Sequence, residues 1–176
     1  MIQQKIQQKE IENPIRRIKI EKVVLSCGAK DQDLEKSRKL LELLTGMKAQ
    51  ILISKKRIPN FDLRPGLEVG TRVTMRRDKA IELLRKLLGA INNTLSQRQV
   101  SKNHFSFGIK EYIEIPGTEY KRDIGIRGLN VTVDFIRAGV RVKRKKIKSG
   151  KLPKKQYAAQ EEIIKFMEDN FQTNFI

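Results

Sequence analysis

The chain has 176 residues, 39% of them hydrophobic, which suits one domain with a real core and room for elaborated loops. Lys and Arg number 38 against 20 Asp and Glu, giving a net charge of +18 and a pI near 10.2, so the expected partners are polyanions. No apolar run approaches the roughly 18 residues of a spanning helix, the opening MIQQKIQQKEIE lacks a signal-peptide apolar segment, and the single cysteine, Cys27, excludes a disulfide framework or thiolate metal cluster.

Residues 1–12 are Gln-rich, with Ile2 and Ile6 at helical spacing, and read as a flexible lead to a domain spanning 13–176. Asn13-Pro14 has the form of an N-cap followed by proline at the first helical position, predicting a short turn over Pro14 to Arg17. Ile18 to Cys27 is rich in β-branched residues, but its phase slips between Ile18/Ile20/Val24 and Val23/Leu25. That slip is consistent with burial on both faces or with a bulge. Asp31 to Leu44 predicts a helix: Leu34, Leu41 and Leu44 share a face that Leu40 widens, the first turn is acidic, and Gly46 stands where a left-handed terminator belongs.

Ala49 to Ser54 reads as a second strand with Ile51 and Ile53 on one side, and Ile58 to Gly66, with two prolines and a glycine, as a constrained loop. Leu67 to Arg76 alternates cleanly: Leu67, Val69, Val73 and Met75 against Glu68, Gly70, Arg72, Thr74 and Arg76. Asp78 is expected to cap a helix with a stripe of Ile81, Leu84, Leu88 and Ile91, and Asn92 to Asn103 to be a polar loop. His104 to Ile115 alternates again, with Phe105, Phe107, Ile109, Ile113 and Ile115 inside and His104, Ser106, Gly108, Lys110, Tyr112 and Glu114 outside. A loop over Pro116 to Gly128 leads to Leu129 to Phe135, where Leu129, Val131, Val133 and Phe135 oppose Asn130, Thr132 and Asp134. Ala158 to Asn170 closes as a helix burying Ile163, Ile164 and Met167, with Phe171 beyond it.

Between these last elements lies RVKRKKIKSGKLPKK, Arg141 to Lys155, in which nine of fifteen residues are cationic and none is acidic. Like charges cannot be gathered in a low-dielectric core, so the run stays solvated or meets a polyanion. It forms the middle of a basic arm, 137–157, tethered at both ends.

Strands with one greasy and one polar face, plus three amphipathic helices, predict an α+β fold of two layers: a curved, mostly antiparallel sheet backed by helices on one face. The open face would carry Gly70, Arg72, Thr74, Arg76, Ser106, Gly108, Lys110, Asn130 and Thr132. Small residues let a sugar-phosphate backbone lie close, while Arg and hydroxyls donate to phosphate and 2′-OH. Phe105 and Phe107 have the look of a base-stacking pair, but their phase assigns them to the core.

Catalytic patterns are missing. His104 is the single histidine, with no nucleophile fixed beside it, and Glu111 and Glu114, three apart on a predicted strand, face opposite ways. No phosphate-binding loop, dinucleotide fingerprint or metal-ligand spacing is present, so no metal and no cofactor is expected. The leading reading is a structural RNA-binding protein. An RNA-processing enzyme is second and a polybasic binder of anionic lipid third.

From Asn13 onward the chain resembles the universal large-subunit ribosomal protein number five family, the 5S rRNA-binding proteins, in its archaeal type. The likeness is carried by Asn13-Pro14-Ile15-Arg16, Ser54-Lys55-Lys56-Arg57, Phe61 through Arg64, Gly70, Val73-Thr74 and, most specifically, Asn103 through Ile109 with Glu111. Glu119-Tyr120, Ile124-Gly125-Ile126, Gly128-Leu129, Val131-Thr132-Val133 and Arg141-Val142 extend it. The resemblance implies a non-enzymatic, cytoplasmic ribosomal protein holding 5S rRNA against large-subunit rRNA in the central protuberance, beside neighbouring central-protuberance proteins. It also implies contact with the small-subunit head protein number thirteen in an intersubunit bridge, and with P-site tRNA. The residues so assigned to RNA are Ser54, Lys55, Lys56, Arg57, Arg72, Thr74, Arg76, Lys102, His104, Ser106, Lys110, Thr132, Arg141, Lys143, Arg144, Lys145 and Lys146. The tRNA-facing loop is assigned Ile58, Pro59, Asn60, Phe61, Arg64 and Gly66. Ala138-Gly139 stands where many relatives have Pro-Gly, which leaves the start of the arm less constrained, and the Gln-rich lead has no counterpart.

Overall fold

A computed structural model describes residues 14–176; the lead 1–12 and the Asn13 cap lie outside the described residues. Six strands form one sheet in the order β2-β3-β1-β7-β6-β5, every neighbouring pair antiparallel. They are β1 (Lys19–Gly28), β2 (Gln50–Ile53), β3 (Glu68–Met75), β5 (Val100–Ser101), β6 (His104–Ile109) and β7 (Leu129–Ile136). Two further short strands, β4 (Thr94–Leu95) and β8 (Asn174–Phe175), pair in parallel. The helices are α1 (Asp31–Thr45), α2 (Asp78–Ala90), the single turn α3 (Arg141–Arg144) and α4 (Gln160–Phe171). The expected α+β architecture of helices behind a mostly antiparallel sheet is what the chain forms.

The central strand resolves its own phase slip. Ile20 pairs with Phe135 and Lys22 with Asp134, so Glu21 is an extra residue in β1, a bulge. On its far side Val23, Leu25 and Cys27 point into the core while Lys22, Val24 and Ser26 point out. One buried layer joins Val23, Leu25, Val73, Met75, Val131, Val133, Phe105 and Phe135 of the sheet to Leu40, Leu41, Leu84, Leu87, Leu88, Ile163 and Met167 of the helices. Phe105 stacks on Phe107 (centroids 5.9 Å) and on Phe135 (5.8 Å), pairings worth roughly 0.5–1.5 kcal/mol each beyond area burial. The two phenylalanines are therefore core residues, as their phase predicted.

Gly70 is required by strand approach: a Cβ there would lie 2.7 Å from the Cys27 carbonyl oxygen of β1. Gly46, at φ 64°, ends α1 in the left-handed conformation and donates its N–H to Glu42 O at 2.8 Å, as expected.

Several local expectations are corrected. β6 ends at Ile109, and residues Tyr112–Glu114 make a 3-10 turn that buries Tyr112 completely and turns Ile113 outward. The Tyr112 hydroxyl accepts the Lys121 N–H at 2.8 Å, which satisfies its buried oxygen. Glu111 thus precedes, and Glu114 ends, a turn and not a strand. Asp78 is the first residue of α2 and makes no side-chain cap; Arg77, at φ 61°, turns the chain into the helix. The buried stripe of α2 is Ala80, Leu83, Leu84, Leu87 and Leu88, with Ile81 and Ile91 only half-buried. Ile53 is exposed opposite Glu68 because the β2–β3 register shifts after Leu52. The supposed loop 92–103 contains β4, β5 and the buried Leu95 and Val100.

Candidate nucleic-acid interface

Strand register turns the open face into rows that cross the sheet. One runs Gln50–Arg72–Ser26–Asn130–Gly108, the next Thr74–Val24–Thr132–Ser106, and a third Lys22–Asp134–His104. Among the described residues no long helix covers this side, because α1, α2 and α4 share the buried layer behind it. Arg72, His104 and Ser106 are exposed and Thr74 and Thr132 half-buried. Arg72 donates Nε–H to Gln50 Oε1 at 3.2 Å, which orients its guanidinium along the first row. Lys22 pairs with Asp134 at 2.9 Å, and His104 Nδ1 lies 3.2 Å from the Lys102 carbonyl oxygen, to which its N–H tautomer donates. Arg76 and Lys110 sit just past the ends of β3 and β6, both exposed. Lys22 and Ser26 belong to this face and escaped the sequence reading, because the Glu21 bulge scrambled the alternation that would have shown them.

The basic arm rises from the sheet end that carries Lys22, Arg76 and His104. Residues 141–149 are exposed, as their charge demands, and Arg141, Lys143 and Arg144 share one helical turn with Lys145 and Lys146 following. The neck of the arm is clasped. Arg137, 6% exposed, pairs with Glu162 of α4 and donates Nη1–H to Lys155 O at 3.2 Å; Gln156 Nε2 donates to Ala138 O at 2.6 Å. These bonds supply the constraint that Ala138-Gly139 does not. Arg144 reaches back to pair with Glu21, the bulge residue. Between arm and sheet lies an open cleft of about 270 Å³ whose walls include Lys102, His104, Lys143 and Arg144. Four residues assigned to RNA from two separate segments, the β5–β6 turn and the arm, therefore meet at one place.

The β2–β3 loop stands at the opposite end of the sheet. Ser54 N–H donates to Leu67 O at 2.8 Å and Gly66 N–H to Ser54 O at 2.9 Å, closing its base. Ile58 and Leu63 exchange backbone bonds at its tip, around a 3-10 turn over Pro59–Phe61. Ser54 Oγ donates to Lys56 O at 2.8 Å. Lys55, Lys56, Arg57, Asn60 and Arg64 are exposed, and Phe61 is 65% exposed, so the loop offers cations and an uncovered aromatic ring. Lys30 Nζ donates to the Phe61 carbonyl, tying the tip to the start of α1. These RNA- and tRNA-assigned residues are not gathered with the arm.

Cys27 is no site: its thiol faces the core, and burial pushes its pKa up to about 11. Among the described residues no helix is long and apolar enough to cross a membrane.

An open, polar sheet face backed by helices and flanked by a clasped basic arm puts the protein in a class of α+β folds suited to meeting nucleic acid. Comparison with known proteins narrows that class. The family model described as Ribosomal protein L5 matches residues 13–64, and the model for the C-terminus of the same ribosomal family matches residues 68–166. The chain is 35% identical over 174 residues to the large ribosomal subunit protein uL5 of Sulfolobus acidocaldarius, covering 97% of this chain and 98% of that one. It is 38% identical over 169 residues to that of Nanoarchaeum equitans, covering 94% and 100%, and 36% identical over 168 residues to that of Sulfurisphaera tokodaii, covering 93% and 95%. The chain belongs to the ribosomal protein L5 family, of the archaeal type.

Proposed function

We propose that this protein binds 5S rRNA and attaches it to the central protuberance of the large ribosomal subunit, using its open sheet face and basic arm. As a member of a ribosomal protein family it is a non-enzymatic, structural constituent of the large subunit in the cytoplasmic ribosome, with rRNA as its partner. The observation that carries the finer reading is the meeting of arm, β5–β6 turn and sheet rows at one end of the sheet. A polyanion laid there would touch several cations at once, with small residues beneath it.

Residues 13–176 act as one RNA-binding unit in this reading, with 137–157 as its arm. The β2–β3 loop, on the opposite end, is free to face a second RNA, P-site tRNA, once the subunit is assembled. Large-subunit rRNA, the small-subunit head protein number thirteen and neighbouring central-protuberance proteins complete the partners. The test is retention of labelled 5S rRNA by the full chain against a tRNA competitor. Retention that survives excess tRNA is expected; equal competition by tRNA would reduce the protein to a non-specific polycation.

A further inference from the structure

The basic arm is held at mid-length as well as at its neck. Within it the Gly150 N–H donates to Val142 O at 3.1 Å, and a Cβ on Gly150 would lie 2.7 Å from Val142 Cγ1. The returning chain therefore packs closely on α3, and residues 142–150 form a closed loop. That loop is joined to the sheet by Arg144, which pairs with Glu21. Glu21 is the extra residue of the β1 bulge, inserted between Ile20 and Lys22, and a bulge re-aims a side chain where a regular strand could not. The Glu21 side chain is 12% exposed against 54% for Arg144. A phosphate that took Arg144 would strand a largely buried carboxylate, which costs far more than parting two surface charges. Asp134, the other carboxylate of the cleft, has its own cation in Lys22.

We infer that Glu21 is a positioning residue for RNA binding: it keeps Arg144 as an anchor and so sets the direction in which the arm presents its lysines. Successive residues of a helical turn point about 100° apart. Fixing Arg144 on the sheet thus fixes Lys143, which lines the cleft with Lys102 and His104. An arm already held in its bound direction loses less freedom when RNA arrives. This role rests on the proposed RNA binding and adds to it the residue that orders the arm.

Charge alone predicts the opposite sign. Glu21→Gln takes an anion away from a surface that meets a polyanion, so simple electrostatics would tighten binding of every RNA. Loss of the anchor should instead weaken 5S rRNA binding by roughly tenfold and leave tRNA binding the same or slightly tighter. The salt slope should stay as it is, because no phosphate contact is removed. In the free chain, trypsin cleavage after Lys143 and Lys145 should become severalfold faster. Glu21→Gln combined with Arg144→Gln keeps the wild-type net charge and strands no buried charge, so it should fold even where the single variant does not. It should show the same faster cleavage and the same lost preference for 5S rRNA over tRNA. Cleavage at the wild-type rate in both variants would overturn the anchor. Faster cleavage with a wild-type preference for 5S rRNA, or tighter 5S rRNA binding by Glu21→Gln, would overturn the positioning role. If the wild-type chain itself shows no preference for 5S rRNA, the proposed function falls, and the positioning role with it, whatever the cleavage rates.

Discussion

Neutralising the arm gives a number that can be worked from the structure. In the variant carrying Lys143, Arg144, Lys145 and Lys146 all changed to Gln, four cations disappear from a segment that is exposed throughout. Changes at free surface lysines usually cost within about 0.5 kcal/mol each, while Arg144→Gln also leaves the largely buried Glu21 unpaired, so the chain should still fold with a modestly lower unfolding midpoint. Arg144 is already neutralised by Glu21 in the free protein, which leaves Lys143, Lys145 and Lys146 to meet phosphate. Each phosphate contact on a duplex contributes about 0.9 to the slope of log affinity against log salt, so the slope should flatten by roughly 3. The gap between wild type and variant should then shrink by about 40-fold between roughly 50 and 200 mM salt. The assay pairs that slope on isolated 5S rRNA with incorporation of 5S rRNA into large subunits. An unchanged slope with poor incorporation would move the arm onto neighbouring rRNA. Wild-type behaviour in both would show that the run is only a solvated charge cluster.

Other perturbations address the remaining surfaces. Arg72→Ala with Thr74→Ala, both on outward rows, should weaken 5S rRNA binding with a nearly constant unfolding midpoint; unaltered affinity would remove that face from the interface. Shortening Ile58 to Gly66 above the Ser54–Leu67 closure should leave isolated 5S rRNA binding intact, and its loss in a folded variant would show that the loop faces a different partner. The Cys27 thiol, with its folded pKa pushed from 9.0 to about 11, should resist thiol reagents in the native chain at neutral pH and react on unfolding. Its contribution to stability is present below pH 9 and fades as pH rises towards 11, so wild type should lose urea resistance relative to Cys27→Ala across that window. A native thiol labelled at the unfolded rate would contradict the burial.

The parts of the fold legible in the sequence were those where one face is buried over a long run. In β3, β6 and β7 alternation between core and open face leaves a period of two. The same signal failed in β1, where the Glu21 bulge reverses the phase, hiding Lys22 and Ser26 from the interface. It also misled beyond Ile109: Tyr112 and Ile113 alternate with their neighbours as a strand would, yet a 3-10 turn puts the tyrosine inside and the isoleucine out. The leucine pairs of α2 fit two adjacent stripes, and only docking on the sheet selects Leu83 and Leu87. The two-residue strands β4, β5 and β8 are too short to carry any period. Charge showed the arm but not its clasp, since Arg137, Gln156 and Glu162 meet only through the tertiary fold. The cleft between arm and sheet is non-local for the same reason.

Lysine acetylation footprinting of the full chain, free and bound to 5S rRNA, tests most directly which surface meets the RNA. All the lysines compared are exposed in the free protein. Lys102, Lys143 and Lys145, at the sheet end and on the arm, should become protected by the RNA. Lys39 of α1, Lys86 of α2 and Lys165 of α4, on the helical layer, should react as before. Protection of the helical lysines, with Lys102 and Lys143 left reactive, would place the RNA on the opposite side of the molecule and contradict the account.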